Sequence, residues 1–230
     1  KLQEKENKNE READTFSEKN KVILVGFAHF GSTLGRFLRA NGIEATVLDF
    51  NPDQVDLLRK MGFKVFYGDA TRLDLLHSAG AEEAQILISA INSSETNRKL
   101  VELCQEHFPH LEVMIRTKNR NDAYEMMEMG VEHIYREHLD TSIRMGEDVL
   151  KMVGFLAHTI QRLASNFLKF DEDDLNFFFN YKNDREEYIS KVKKQIEQQE
   201  LLLSGELSKK FSLNDQAWDS EPMKESVKKS

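Results

Sequence analysis

The chain has 230 residues, with 32 Lys and Arg against 40 Asp and Glu, and a formal net charge of −8. That length holds one good core with additions, or at most two small domains. An acidic balance without a basic cluster excludes a nucleic-acid surface. No apolar run is long enough to span a bilayer and no leader pattern is present, so this piece is expected neither to cross a membrane nor to be exported. It opens on Lys1 rather than Met, as a fragment or processed piece of something longer would. The lone cysteine, Cys104, lies among Leu100, Val101 and Leu103. It cannot form an internal disulfide, fits a reducing cytoplasm, and reads as a small core residue.

Residues 1–20 are charged, with almost nothing to bury, and form a polar linker. From Lys21 strands and short helices alternate. Strands are expected at Lys21–Val25, Ala45–Asp49, Lys64–Tyr67, Ala84–Ala90, Glu112–Arg116 and Val131–Ile134. Helices are expected at Phe30–Ala40, Pro52–Met61, Arg72–Ala79, Ser94–His107 and Asn121–Met129. This alternation predicts an α/β fold, a Rossmann-like parallel sheet with flanking helices, over 21–136. Gly42, Gly62, Gly80 and Gly130 stand where helix C-caps are needed.

From about Glu137 the apolar spacing becomes helical through Leu139, Ile143, Leu150, Val153, Ile160 and Phe167, with Val149, Met152 and Leu156 widening the face. Residues 137–170 are therefore expected to form one long crossover helix, one face of which covers the sheet domain. So wide a face predicts a second copy of the chain as a further partner, the alternative being a helix packed wholly on its own domain. Residues 171–230 form an acidic and helical extension. Its run Asp171–Asp174 reads as a solvated face, Phe177–Phe179 as a local staple or a docking site, and Asp184–Leu203 as a charged helix. The last 25 or so residues are expected to be disordered.

The chemistry concentrates in Gly26–Phe27–Ala28–His29–Phe30–Gly31, which places a Gly-x-Ala-x-x-Gly turn between a strand and a helix. The first glycine permits the turn, the last permits close helix–strand packing, and the helix N-terminal amides receive phosphate. The Ala28 methyl crowds the place where a pyrophosphate would approach. Asp49, followed by Phe50 at the end of the second strand, supplies the acceptor for ribose hydroxyls and repels a 2′-phosphate. Asp69, Ala70 and Thr71 follow the third strand, Ala90 and Ile91 end the fourth, and Arg116 ends the fifth. All lie at the carboxyl edge, where open α/β sheets bind ligands. Asp69 suits the adenine amino group or a helix N-cap, and Arg116 suits a phosphate or a neighbouring carboxylate. The rival class is an NAD-dependent oxidoreductase, which needs a second region carrying an acid or base against the nicotinamide. The polar segments after residue 137 offer none, and no His, Cys or Ser pattern predicts a catalytic or metal centre. A third class is a structural dimerisation module that holds its nucleotide permanently.

The stretch from Val47 to Ile91, with FYGDAT and LLHSAGA, and the later EHFPHL are similar to the nucleotide-binding KTN (RCK) domain of bacterial Kef-type potassium efflux systems. The resemblance runs from about Lys21 to Phe170. It implies a homodimer joined through a crossing helix and a polar linker to the membrane transport domain of the same protein, at the cytoplasmic face of the inner membrane. It also implies AMP or NAD(H) at the glycine motif, the acid after strand two and the GDAT segment. An ancillary quinone-reductase-like subunit and a glutathione site between the two subunits belong to the same picture. For that site Arg36 and Arg136 match the family's basic residues, two cations for a tripeptide with two carboxylates. The family has an asparagine where Asp171 stands and a phenylalanine where Met61 stands. Asp171 loses an amide donor and adds a negative charge, which points to a related thiol metabolite or to the nucleotide alone.

Overall fold

The computed structural model describes residues 20–60, 65–182 and 184–210. Most of the expected linker, the helix cap at Gly62, the effector residue Met61 and residues 211–230 lie outside the described residues. The described residues form two compact units that divide between Thr141 and Ser142.

The first unit runs β1 (Val22–Val25), α1 (His29–Ala40), β2 (Ala45–Asp49), α2 (Pro52–Lys60), β3 (Val65–Tyr67), α3 (Leu73–Ser78), β4 (Ile86–Ser89), α4 (Ser94–His107), β5 (Glu112–Thr117), α5 (Arg120–Glu128) and β6 (His133–Arg136). The six strands make one sheet in the order β3-β2-β1-β4-β5-β6. Every pair is parallel, as the alternation predicts. All four residues of β1 are buried, as the central strand of a doubly covered sheet requires. Ile23 and Val25 pack with Leu75, Leu76, Leu100 and Cys104 on one face. Leu24 and Val47 pack with Val55, Leu58 and the partly buried Phe30 and Leu34 on the other. Each fully buried Ile or Leu of this kind contributes about 1.5–3 kcal/mol relative to exposure.

Two of the differences from the expected boundaries have the same cause. The last strand starts at His133 rather than Val131, because the chain first closes α5. Gly130 N donates to Met127 O at 3.0 Å and Val131 N to Met126 O at 3.1 Å, a Schellman cap that uses both residues before a strand can begin. The long crossover stretch is likewise two helices, α6 (Leu139–Met152) and α7 (Ala157–Phe179). Gly154 takes a positive φ of 95°, donates to Lys151 O at 3.1 Å, and is followed by Phe155 N on Leu150 O at 3.0 Å. The apolar periodicity passes through this cap unbroken, which is why it suggests one helix.

In the second unit α7 continues through the acidic run, and the helical period divides it. Asp171 and Asp174 are buried, while Glu172 and Asp173 are exposed, so only half of the run is the solvated face expected. The charged helix α8 spans Arg185–Lys210, so helix reaches into the stretch expected to be disordered. Phe178 meets Tyr188 edge to face at 5.5 Å, and Gln195 Nε2 donates to Asp174 Oδ1 at 2.9 Å. Partners further along α8 thus meet positions further back on α7, as in an antiparallel hairpin. The phenylalanine cluster contributes as a staple within this hairpin.

Cys104 is buried, and burial pushes its thiol up to about 12. A thiolate is the reactive form. Native protein at pH 8 is therefore expected to resist iodoacetamide, and to take up one equivalent once unfolded in urea, read by mass spectrometry. Rapid native labelling would contradict this packing.

Candidate functional site

The strand order reverses between β1 and β4, and at that switch point the connections leave the sheet on opposite faces, opening a crevice at the carboxyl ends. A cavity of about 380 Å³ occupies it. Its wall combines the turn after β1 (Gly26, Ala28, His29, Phe30), Asp49 and Phe50 after β2, Gly68, Asp69 and Ala70 after β3, and Ala90 and Ile91 after β4, with Arg116 from β5.

The glycine turn is fixed by steric limits. Gly26 has φ of 86°, and a Cβ there would stand 3.3 Å from the Ala90 carbonyl carbon. A Cβ on Gly31 would stand 1.9 Å from the Gly26 carbonyl oxygen. Ala28 caps α1 without a side-chain hydrogen bond, and Ser32 N is the first amide to reach back, to Ala28 O at 2.8 Å. The first-turn amides of α1 thus begin at the cavity wall without a side-chain cap, an arrangement suited to an anion.

Asp49 is buried and already employed. Its Oδ2 accepts from Phe27 N at 2.7 Å and its Oδ1 from Asn51 N at 2.9 Å. A carboxylate has about four acceptor sites, so two remain for ribose hydroxyls. Phe27 contributes its amide to this clamp, while its side chain is buried in the core over Gly35, where a Cβ would stand 2.4 Å from the ring. Phe50 is exposed at the cavity wall. Asp69 Oδ1 accepts from Thr71 N at 2.9 Å and from Thr71 Oγ1 at 2.8 Å. Arg72 is the cap of α3, so Asp69 fastens the turn before the helix instead of capping it, and it lines the cavity. Thr71 and Gly31 shape the wall without lining it.

Arg116 is the buried cation of the site, 8% exposed. Its Nη1 donates to Ala90 O at 2.9 Å, its Nη2 pairs with Glu137 Oε2, and its guanidinium lies 4.9 Å over the Phe30 ring. Its Nε is buried without a hydrogen-bond partner. The guanidinium holds the Glu137 carboxyl below its ordinary range. The stabilisation from this pair is therefore complete above the unfolded glutamate value and lost as pH falls through the lower folded one. Asn97, also buried, places the neighbouring loop: it accepts from Ser89 Oγ at 2.6 Å and donates to Arg116 O at 3.3 Å.

Glu137 and Asn97 are the residues that motif reading misses. The pairing of Thr117 with Arg136 puts Glu137 one step past β6, on the same edge as Arg116, so an acid just beyond a last strand was the available signal. Two of the proposed effector residues stand apart from the cavity. Arg36 is exposed on α1 with Nε 3.4 Å from Ser32 O, and Arg136 ends β6; neither lines the cavity. Asp171 belongs to the second unit and is 7% exposed. A larger hollow of about 760 Å³ borders α1 and β4–β6, lined mainly by apolar residues such as Leu34, Leu38, Ile86, Ile88 and Met114. It lacks the glycine turn, Asp49 and Asp69 that the switch-point cavity offers a nucleotide, although Arg116 borders both.

Residues 22–137 match the TrkA-N domain family, and residues 141–217 match the potassium efflux system KefB C-terminal domain family. The Kef C-terminal domain of Shewanella denitrificans in AMP-bound form is 35% identical, with a TM-score of 0.65 over 70% of this chain and 99% of that one. The chain belongs to the Kef-type KTN domain family.

The Kef-type domain is also similar to the TrkA-N domain of the Escherichia coli inner membrane protein YbaL, at 25% identity and a TM-score of 0.52 over 57% of this chain and 98% of that one. The GsuK channel bound to NAD shares the fold, at 19% identity and a TM-score of 0.51 over 56% of this chain and 24% of that one. The Kef-type domain is thus a C-terminal regulatory domain of a potassium efflux system. Among the described residues no helix is long and apolar enough to cross a membrane, and no cluster of three His, Cys, Asp or Glu side chains could hold a metal.

Proposed function

We propose that the cavity at the switch point binds an adenine nucleotide, AMP or NAD(H), and that its occupancy biases a homodimer that gates a membrane potassium efflux domain of the same protein. The observation that carries the reading is the convergence, on one cavity, of the uncapped start of α1, the remaining acceptor sites of Asp49 and the buried guanidinium of Arg116. The AMP-bound state of the Shewanella relative supports AMP. Phosphate rests on the first-turn amides near Arg116, ribose hydroxyls bond Asp49, and the base lies toward Asp69. Asp49 repels a 2′-phosphate, so NADP is expected to bind at least about 100-fold more weakly than NAD.

The homodimer reading rests on α6. None of its residues is buried, Met145, Val149 and Met152 form an exposed apolar stripe along it, with Met152 at 85% exposure, and the exposed Val153 and Leu156 follow just past its end. Such a stripe at helical spacing suits a second copy. Glutathione or a related thiol metabolite is the effector, held by Arg36 and Arg136, with Met61 and Asp171 as the positions where this chain departs from its family. A quinone-reductase-like subunit is a further partner. Ligands shift such a gate only through different affinities for its two states.

Calorimetric titration of the 230-residue chain with AMP, NAD, NADP and glutathione tests this. Nucleotide and glutathione binding together support the full gate and make Asp171 a tolerated variation. Nucleotide binding alone keeps the regulatory domain and redirects the search for its effector. Binding of NADP as tight as NAD would contradict the role of Asp49. If Arg136→Ala leaves effector binding unchanged, the effector site is elsewhere.

A further inference from the structure

We infer that Glu137 is a specificity-determining residue of the nucleotide cavity, which competes with a ligand's phosphate for Arg116 and so sets how strongly the site favours phosphorylated over unphosphorylated nucleosides. The inference rests on the nucleotide reading above.

The two side chains share one cavity and one ion pair. Arg116 is immobilised: Ala90 O holds Nη1 at 2.9 Å, the Phe30 ring lies beneath the guanidinium, and burial leaves little room to turn. Glu137 is held at its backbone, where its N–H donates to Thr117 O at 2.9 Å as the last rung between β5 and β6. The sheet itself therefore delivers the carboxylate to the guanidinium. Yet the Glu137 side chain keeps 25% of its surface, so it has somewhere to go, whereas Arg116 does not. The other charged neighbours of Glu137 are cationic or titrate to a cation. His138 Nε2 lies 4.0 Å from Oε2, and Lys118 acts on it electrostatically.

A phosphate entering this cavity meets a guanidinium whose charge is already neutralised. It competes with Glu137 for Nη2, while repelling the Glu137 carboxylate. The result is a pre-positioned arginine with a built-in penalty on ligand charge. A nucleoside without phosphate incurs no such penalty. Glu137 thus lowers the affinity for AMP without touching that for adenosine, and keeps the site from saturating at low AMP.

The test titrates the 230-residue wild-type chain and Glu137→Gln with AMP and with adenosine. Glutamine keeps the shape and an acceptor for Arg116 but removes the charge. The expected result is an AMP affinity about tenfold higher in E137Q, with adenosine unchanged within about twofold. Equal shifts for both ligands, no shift, or weaker AMP binding would overturn the inference while leaving the nucleotide reading standing. Absence of binding by either ligand to the wild-type chain would overturn both. A measurement on the unmutated chain guards against a variant that fails to fold: carbon-13 titration of the Glu137 carboxyl. AMP should raise its pKa toward the ordinary glutamate value, because the guanidinium has been taken by the phosphate. A value that stays low with AMP bound would sink the inference.

Discussion

Arg116→Ala is expected to weaken AMP binding about 100-fold in calorimetric titration, while adenosine binding changes by no more than a few-fold. The size follows from charge-assisted hydrogen bonds, each about 1.5–3 kcal/mol, with about 1.4 kcal/mol for each factor of ten. Among the described residues Arg116 is the one arginine or lysine lining the cavity, and its Nη2, paired with Glu137, is the donor a phosphate would take over. The variant also strands Glu137 without its partner and removes the contacts to Ala90 O and the Phe30 ring. Part of the loss is therefore repulsion from an uncompensated carboxylate, and the double variant R116A/E137Q should recover about tenfold of the AMP affinity. Equal loss of AMP and adenosine would show that Arg116 only holds the loops in place.

Gly31→Ala carries the second large effect. Its Cβ would lie 1.9 Å from the Gly26 carbonyl oxygen and 2.9 Å from the Gly26 carbonyl carbon. Both are backbone atoms of the phosphate turn, so no side chain can swing away, and either the turn or α1 must move. Overpacking costs typically about 1–3 kcal/mol, and a backbone obstacle places this site at or above the upper end. Urea denaturation should show roughly 3 kcal/mol of lost stability, and nucleotide binding should vanish with the turn. Gly42→Ala is the control. Gly42 has a positive φ that the helical Gly31 lacks, yet nothing lies within 4 Å of its added Cβ. It should cost only about 1 kcal/mol of backbone strain and leave binding intact. A loss at Gly31 no larger than that at Gly42 would mean that the close approach to Gly26 costs nothing beyond ordinary strain.

The sheet was legible in the sequence because burial on both faces leaves apolar runs at β1, β2 and β4, and glycines mark where helices end. The glycine motif, Asp49 and the carboxyl-edge segments were legible because local spacing encodes them, and most of them do line one cavity. What escaped depends on pairing between distant strands. Glu137 reaches Arg116 only because β5 and β6 are neighbours in register, and Asn97 ties β4 to β5 from a helix between them. Phe27 illustrates the opposite error: its place in the motif suggests a ligand contact, whereas Gly35 opens a core pocket that takes the ring. The break between α6 and α7 escaped because Gly154 interrupts the backbone without interrupting the apolar pattern. Asp171 and Asp174 escaped because a run of charges hides a helical period that turns two of the four inward.

The central claim is that the switch-point cavity holds an adenine nucleotide with its phosphate between the start of α1 and Arg116. The most direct measurement is a crystal structure of the 230-residue chain grown with AMP. The account predicts the phosphate within hydrogen-bond distance of the first-turn amides of α1 and of the Arg116 guanidinium, the ribose hydroxyls on Asp49, and Glu137 turned away from Arg116. AMP seated in the apolar hollow beside α1 and β4–β6, with the Arg116–Glu137 pair intact, would contradict it.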